Sequence, residues 1–114
     1  MSYAGITKGL AALASIMIMG ADRAGAGSAL RAERGASHPQ LLARLANSLP
    51  DMLPNAYCWV AKMREISASL GDDAASAMVY EGIAQFYARI AADTAGERLH
   101  ATAIEAVALT AAPP

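Results

Sequence analysis

The sequence predicts an all-α fold, arranged as a single bundle of five or six helices. Hydrophobic residues make up 55% of the 114 residues, but aromatic residues make up only 5%. Alanine accounts for about a quarter of the chain, and with leucine, isoleucine and six methionines it gives a composition typical of helices. Apolar residues recur at helical spacing, and no segment alternates in the manner of a strand. A chain of this length holds one hydrophobic core rather than two.

Charge and cysteine content exclude several classes of function. The formal net charge is −1 and no basic block is present, so the electrostatic footprint of a nucleic-acid-binding protein is missing. Cys58 is the only cysteine, which excludes an internal disulfide and a zinc site built from cysteines. His38 and His100 have no carboxylate or second histidine at metal-ligand spacing. We therefore expect no metal and no nucleic acid among the ligands, and a cytoplasmic location.

The first helix is predicted over residues 2–23. Five apolar residues follow the i, i+3, i+4, i+7 spacing and form its expected buried stripe: Tyr3, Ile6, Leu10, Leu13 and Met17. The opposite face, with Gly5, Gly9 and Ala12, is hardly more polar, so the helix is apolar nearly all round. Such a helix has to be covered by other parts of the protein or by a partner.

The apolar stretch of this helix also bears on membranes and export. Residues 9–21 are uncharged but fall short of the ~20 residues that cross a bilayer, so we expect no membrane span. A secretory signal is the alternative, since Lys8 precedes an apolar run and residues 24–26 have the small-x-small form of a cleavage site. Asp22 and Arg23 argue against it, because a signal peptide is normally uncharged at this point.

The middle of the chain is predicted to hold three helical segments. A short one spans about residues 28–34, and a second covers residues 38–48. Pro50 and Pro54 then bracket an apolar turn, because proline removes a backbone donor and ends helices. The third helix is expected over residues 55–70, with an asparagine N-cap. The apolar stripes of the two longer helices are Leu41, Leu42, Leu45 and Leu49, then Trp59, Met63, Ile66 and Leu70.

Two further helices complete the predicted bundle. Adjacent aspartates favour a helix start over residues 72–92, since carboxylates stabilise the positive end of the helix dipole. The stripe of this helix is Val79, Ile83, Phe86 and Ile90. A weaker last helix, with Leu99 on its apolar side, follows Gly96. We assign residues 1–92 to one helical domain and residues 93–114 to an additional helix and tail.

Lys8 is the one ionisable residue in the most apolar part of the first helix. Burial could desolvate its ammonium group and make it an acid, a base or an anion-binding group. The alternative is that it lies near the end of the helix and extends its charge into water. No isolated set of residues in the sequence amounts to an active site.

Three segments resemble one protein family. They are residues 1–9 (MSYAGITKG), residues 37–41 (SHPQL) and residues 56–66 (AYCWVAKMREI). Together they are similar to a domain of unknown function, the C-terminal helical domain of phosphogluconate dehydrogenases, in the 6-phosphogluconate dehydrogenase and β-hydroxyacid dehydrogenase superfamily. The resemblance covers residues 1–92 and leaves the last helix unaccounted for.

The resemblance implies one part of a two-domain oxidoreductase. In such relatives an N-terminal Rossmann domain binds NAD(P), and the helical domain completes the substrate cleft and mediates dimerisation. The catalytic lysine stands in a Leu-Lys-Met-x-Tyr-Ala pattern whose methionine matches Met1. We therefore expect no catalytic residue and no bound cofactor in this chain alone. Lys8 matches a second, later lysine, and Ala4 replaces an asparagine, which indicates altered substrate chemistry.

The same resemblance assigns binding roles and partners. Tyr3, Lys8 and Glu65 are expected at the substrate. Arg64 is expected at the cofactor, since Arg64-Glu65-Ile66 stands where many relatives carry Lys-Asp-Leu; an exposed, solvated face is the alternative. The implied partners are a Rossmann-type domain and a second copy in a homodimer. A stand-alone helical module for binding or oligomerisation is the competing interpretation, because an apolar first helix without its neighbouring domain leaves a hydrophobic patch.

Overall fold

The computed structural model describes residues 2–25 and 39–111. Over these ranges the chain forms four helices and no strand, which confirms the all-α class. The helices are α1 (Ser2–Arg23), α2 (Pro39–Ser69), α3 (Ala74–Ala95) and α4 (Leu99–Ala111). The short helix expected at residues 28–34 lies outside the described residues. α2 and α3 share the most extensive contact, and α1 and α4 each pack against the other three helices.

α2 is one continuous helix where the sequence predicted two helices and a turn. Pro50 and Pro54 lie inside it, on its exposed side, and four neighbouring side chains are buried: Leu49, Met52, Leu53 and Ala56. Burial of this apolar face offsets the backbone hydrogen bonds that the prolines cannot donate. Asn55 is therefore not an N-cap. Its side-chain amide donates to the carbonyl of Asp51 at 2.8 Å, in the middle of the helix.

α1 packs through the face opposite to the one that the sequence predicted. Tyr3 is 71% exposed and Leu13 is 55% exposed, so the expected buried stripe is wrong. The buried face carries mostly small side chains: Gly5, Gly9, Ala11, Ala12, Ala14 and Ser15, followed by Ile18 and Met19. The reason is close approach to α3, since the Tyr80 hydroxyl lies only 3.2 Å from the place that a Cβ on Gly5 would occupy.

α1 also has the length and composition of a membrane-spanning helix over Gly5–Arg23. In the fold, 44% of this window is buried. A core helix of a soluble protein and a signal sequence show the same composition, so this property alone does not place α1 in a membrane.

The core lies along the facing sides of α2 and α3. Its largest fully buried side chains are Leu49, Met52, Met63, Tyr87, Ile90 and Ile104. The predicted α3 stripe is confirmed at Ile83, Phe86 and Ile90, but Val79 is exposed.

α4 packs on this fold through Ala101 and Ile104, both buried. Leu99, expected on its apolar side, is instead 67% exposed. The rotation of α4 is fixed by Asp93 in the last turn of α3. Its carboxylate accepts hydrogen bonds from the backbone N–H groups of His100 at 3.1 Å and of Ala101 at 2.8 Å. These bonds turn the first residue of α4 outward.

Candidate functional site

Lys8 lies in a depression of about 420 Å³ between α1 and α2. The depression is lined by Thr7, Lys8, Ala11, Asn47, Ser48, Asp51 and Trp59. Lys8 is half-buried, and its Nζ lies 4.9 Å from the centroid of the Trp59 ring, within the range of a cation–π contact. The lysine therefore neither points freely into water nor lies inside the core. It sits at the edge of the core with its charge against an indole face.

Tyr87 supports both parts of this arrangement. Its ring meets the Trp59 ring edge to face, with centroids 5.5 Å apart and an interplanar angle of 77°. Its hydroxyl donates a hydrogen bond to the main-chain carbonyl of Lys8. Burial raises the pKa of Tyr87 well above the ordinary value of a tyrosine, although a backbone hydrogen bond at Ala12 opposes the shift. The phenol therefore stays protonated and remains a donor at neutral pH.

The lining of the Lys8 depression can bind an anionic, polar ligand. Among the described residues, the ion pairs join Arg64 to Glu81 and Arg98 to Glu105, and neither includes Lys8. The ammonium group can therefore take an anionic group of a ligand. The amide of Asn47 and the carboxylate of Asp51 add donor and acceptor atoms along the wall formed by α2, and the negative charge of Asp51 opposes an anionic group placed beside it.

Arg64 and Glu65 lie in a different depression, of about 540 Å³, on the surface of α2. The structure thus brings these two predicted residues together, but not with Lys8. The Nε of Arg64 lies 3.2 Å from Oε1 of Glu81 on α3, with both side chains about half-exposed. Glu65 is exposed. Adjacent helical side chains point apart, and accordingly Arg64 pairs with Glu81 across the helices.

Tyr3 lines neither depression and belongs to an exposed apolar surface of α1. This surface, the α1 apolar face, consists of Tyr3, Ile6, Leu13, Ile16 and Met17. At their exposures these side chains leave on the order of 600 Å² of apolar surface, the upper end of what a soluble monomer shows in one patch. Patches of that size are often functional.

Sequence reasoning missed Tyr87. The predicted stripe of α3 named Phe86 but not its neighbour, although Tyr87 stands four residues after Ile83 and so shares its side of the helix. A tyrosine on the buried side of a helix needs a partner for its hydroxyl, and that requirement was the available signal. The partner itself, 79 residues away, was not predictable from spacing.

No metal-binding cluster appears among residues 2–25 and 39–111. Within these ranges no group of three His, Cys, Asp or Glu side chains could hold a metal ion. Cys58 is exposed and carries no disulfide. Chemistry at the Lys8 depression would have to come from its ammonium, hydroxyl, amide and carboxylate groups, or from a partner.

Comparison with protein families decides the classification of the chain. The family described as a domain of unknown function, DUF1932, matches residues 21–90, which is more than half of the sequence. The chain belongs to the DUF1932 family. The match to DUF1932 covers all of α2 and most of α3, including Trp59, Arg64, Glu65 and Tyr87. Lys8 and the α1 apolar face precede it. Comparison with curated proteins and with solved structures finds no match.

Proposed function

We propose that this chain is the substrate-cleft and dimerisation domain of an NAD(P)-dependent oxidoreductase similar to 6-phosphogluconate dehydrogenase, acting in the cytoplasm as a homodimer. The observation that supports the proposal is that the two sides of α1 differ in polarity. One side of this helix holds Lys8 in a polar depression, and the other side exposes an apolar face. A domain that closes a cleft against a partner requires both features.

The roles divide between this chain and a Rossmann-type partner domain. The sequence contains no G-x-G-x-x-G segment, so the partner binds the NAD(P). Lys8 binds an anionic group of the substrate. Tyr3 contacts the substrate from the α1 apolar face, which the second copy in the homodimer covers. Arg64 contacts the cofactor, which requires it to exchange its Glu81 partner for a phosphate, while Glu65 stays free for a substrate hydroxyl.

The decisive test is oxidoreductase activity in the presence of the partner domain. The chain is co-expressed with a Rossmann-type domain encoded in the same genomic neighbourhood, and reduction of NAD⁺ and NADP⁺ is followed with 6-phosphogluconate and with short β-hydroxy acids. We expect activity only in the mixture. Lys8→Met should raise KM by about tenfold, the cost of one charged contact of roughly 1.4 kcal/mol.

Lys62→Met is the matched control, because Lys62 is an exposed lysine on α2 outside the Lys8 depression. It should leave KM unchanged. A mixture without activity on any of these substrates, or equal effects of both variants, would contradict the proposal.

The size of the α1 apolar face favours a second candidate function. A stand-alone helical oligomerisation module would use the same face to bind a second copy and would need no nucleotide. Association that is complete without the Rossmann-type domain, together with no NAD(P)-dependent activity in its presence, would favour this function over the first.

A further inference from the structure

Tyr87 is the largest fully buried side chain of the described residues, and it contacts Lys8 at one end and Trp59 at the other. Phe86, its neighbour on α3, is also buried but has no polar atom. Core packing alone needs only the ring of Tyr87. The hydroxyl and its acceptor therefore call for a separate explanation.

The hydroxyl fixes the main chain of α1 at Lys8. The Lys8 carbonyl is the acceptor that a regular helix offers to the N–H of Ala12, and Tyr87 supplies a second donor to the same oxygen. α1 and α3 are also in contact where Gly5 and Gly9 face the ring and hydroxyl of Tyr80. Apolar contacts allow sliding and rotation, whereas a part-buried hydrogen bond favours one register, because breaking it leaves the Tyr87 hydroxyl without its acceptor.

The ring fixes the surface on which the lysine side chain rests. It meets the Trp59 indole edge to face, and the face of that indole lies under the Lys8 Nζ. The contacts form a closed circuit from the Lys8 main chain through Tyr87 and Trp59 to the Lys8 ammonium group. Tyr87 thus fixes both the main chain of Lys8 and the indole face against which the Lys8 ammonium group packs.

We propose that Tyr87 is a positioning residue, whose hydroxyl holds Lys8 in the orientation in which it binds an anionic group of the substrate. The inference rests on the proposed function for the role of Lys8. It assigns a function to a core residue that does not reach the depression itself, and it predicts that loss of one buried oxygen changes the position of a charge on the surface.

The test compares two tyrosine-to-phenylalanine variants on the same helix. Tyr87→Phe keeps the ring and removes the hydroxyl. Tyr80→Phe is the control, because its hydroxyl also faces α1 but lies against Gly5. In the unaltered chain, NMR should show the Lys8 ε-methylene protons shifted upfield by the Trp59 ring. Tyr87→Phe should lose this shift and move the signals to those of an exposed lysine, while Tyr80→Phe should keep it.

A purely structural role would lower the melting temperature without moving these signals. A folded Tyr87→Phe variant with an unchanged Lys8 shift therefore overturns the proposal. If this variant does not fold, the test uses the unaltered chain. Nuclear Overhauser contacts from the Lys8 ε-methylene to the Trp59 indole, with a slowly exchanging Tyr87 hydroxyl proton, support the positioning role of Tyr87. The absence of these signals overturns the proposal.

The result is separable from that of the proposed function. The NMR readout needs no substrate, so it reports on Tyr87 even where Lys8→Met leaves KM unchanged and the role of Lys8 fails. Conversely, a raised KM in Lys8→Met with an unmoved Lys8 signal in Tyr87→Phe would retain the substrate role and remove Tyr87 from it.

Discussion

Asp93 shows how a single carboxylate sets the start of a helix. Its side chain accepts hydrogen bonds from two backbone N–H groups in the first turn of α4, and its own carbonyl accepts one from Arg98. Arg98 has a φ of 59°, a left-handed conformation that is uncommon for a residue other than glycine. Its salt bridge to Glu105 and the Asp93 bonds hold the turn in place.

We expect Asp93→Ala to lower the free energy of unfolding by about 1 kcal/mol at pH 7, since it leaves helix N-terminal donors without an acceptor. Urea denaturation followed by circular dichroism measures the change. Asp72→Ala, an exposed aspartate in the turn before α3, is the matched control and should have little effect. Equal losses in both variants would mean that Asp93 does not cap α4.

The effect of Asp93 should depend on pH. Desolvation acts to raise the pKa of its carboxyl, but the N–H groups of Ala101 and His100 outweigh it and hold the pKa below the ordinary value. A depressed pKa in the folded state means that the stabilisation is present above the unfolded pKa of about 3.9 and is lost as the pH falls through the folded value. The difference between the unaltered chain and Asp93→Ala should therefore narrow below about pH 4.

At the residue scale, the sequence identified Lys8 but not its surroundings. A lone lysine in an apolar helix is evident from the sequence, which leaves open whether its ammonium group is buried or exposed. Trp59 and Tyr87, which settle that choice, stand far along the chain, and the local patterns of α2 and α3 say nothing of which turn of α1 they meet. Roles for Tyr3, Lys8, Arg64 and Glu65 at a substrate or cofactor stay predictions.

At the scale of elements, α1 shows where hydrophobic periodicity fails. The helix is apolar nearly all round, so the pattern does not distinguish the buried side from the exposed one. Its larger side chains remain outside because the glycine side permits the backbone of α1 to approach Tyr80 on α3. The prediction for α2 failed for another reason. Proline is a strong local signal for a helix break, but the tertiary packing of Met52 and Leu53 outweighs that signal here.

The two glycines on the buried side of α1 should differ on substitution. A Cβ at Gly9 would lie 3.8 Å from its nearest neighbours, an ordinary contact, whereas a Cβ at Gly5 would press on the Tyr80 hydroxyl at 3.2 Å. Gly9→Ala should therefore stabilise the fold by about 0.5–1 kcal/mol through helix propensity. Gly5→Ala should raise the free energy of unfolding by less than Gly9→Ala does.

Thermal unfolding of the two variants, with Gly82→Ala as reference, measures this difference. A Cβ at Gly82 on α3 meets nothing within 4 Å, so this substitution reports helix propensity without packing. A melting temperature of Gly5→Ala equal to that of Gly9→Ala would show that α1 does not approach Tyr80 as closely as the structure indicates.

At the scale of the whole molecule, the α1 apolar face suits a second copy of the chain. The exposed side chains approach the ~800 Å² that each partner contributes to a standard interface, and none of them is charged. We expect a dimer whose population rises with concentration. Light scattering of Leu13→Glu should show a folded monomer, because Leu13 is exposed and its replacement opens no cavity in the core.

Met78→Glu is the control for this prediction. Met78 is another large, exposed apolar residue, but it lies on α3 outside the α1 apolar face, so its replacement should leave the dimer intact. An unchanged mass for Leu13→Glu, or dissociation by both variants, would show that association does not use this face.

The bond from Tyr87 to Lys8 also bears on the order in which the chain folds. Its partners are 79 residues apart, so forming it requires closure of a long loop, while α2 and α3 are joined by a short turn. Local pairs form early and distant ones late, because loop-closure entropy opposes the distant contact. We expect the α2–α3 hairpin to fold first and α1 to dock last. Lys8 would then reach its position beside Trp59 only in this last step, so the Lys8 depression exists only in fully folded molecules.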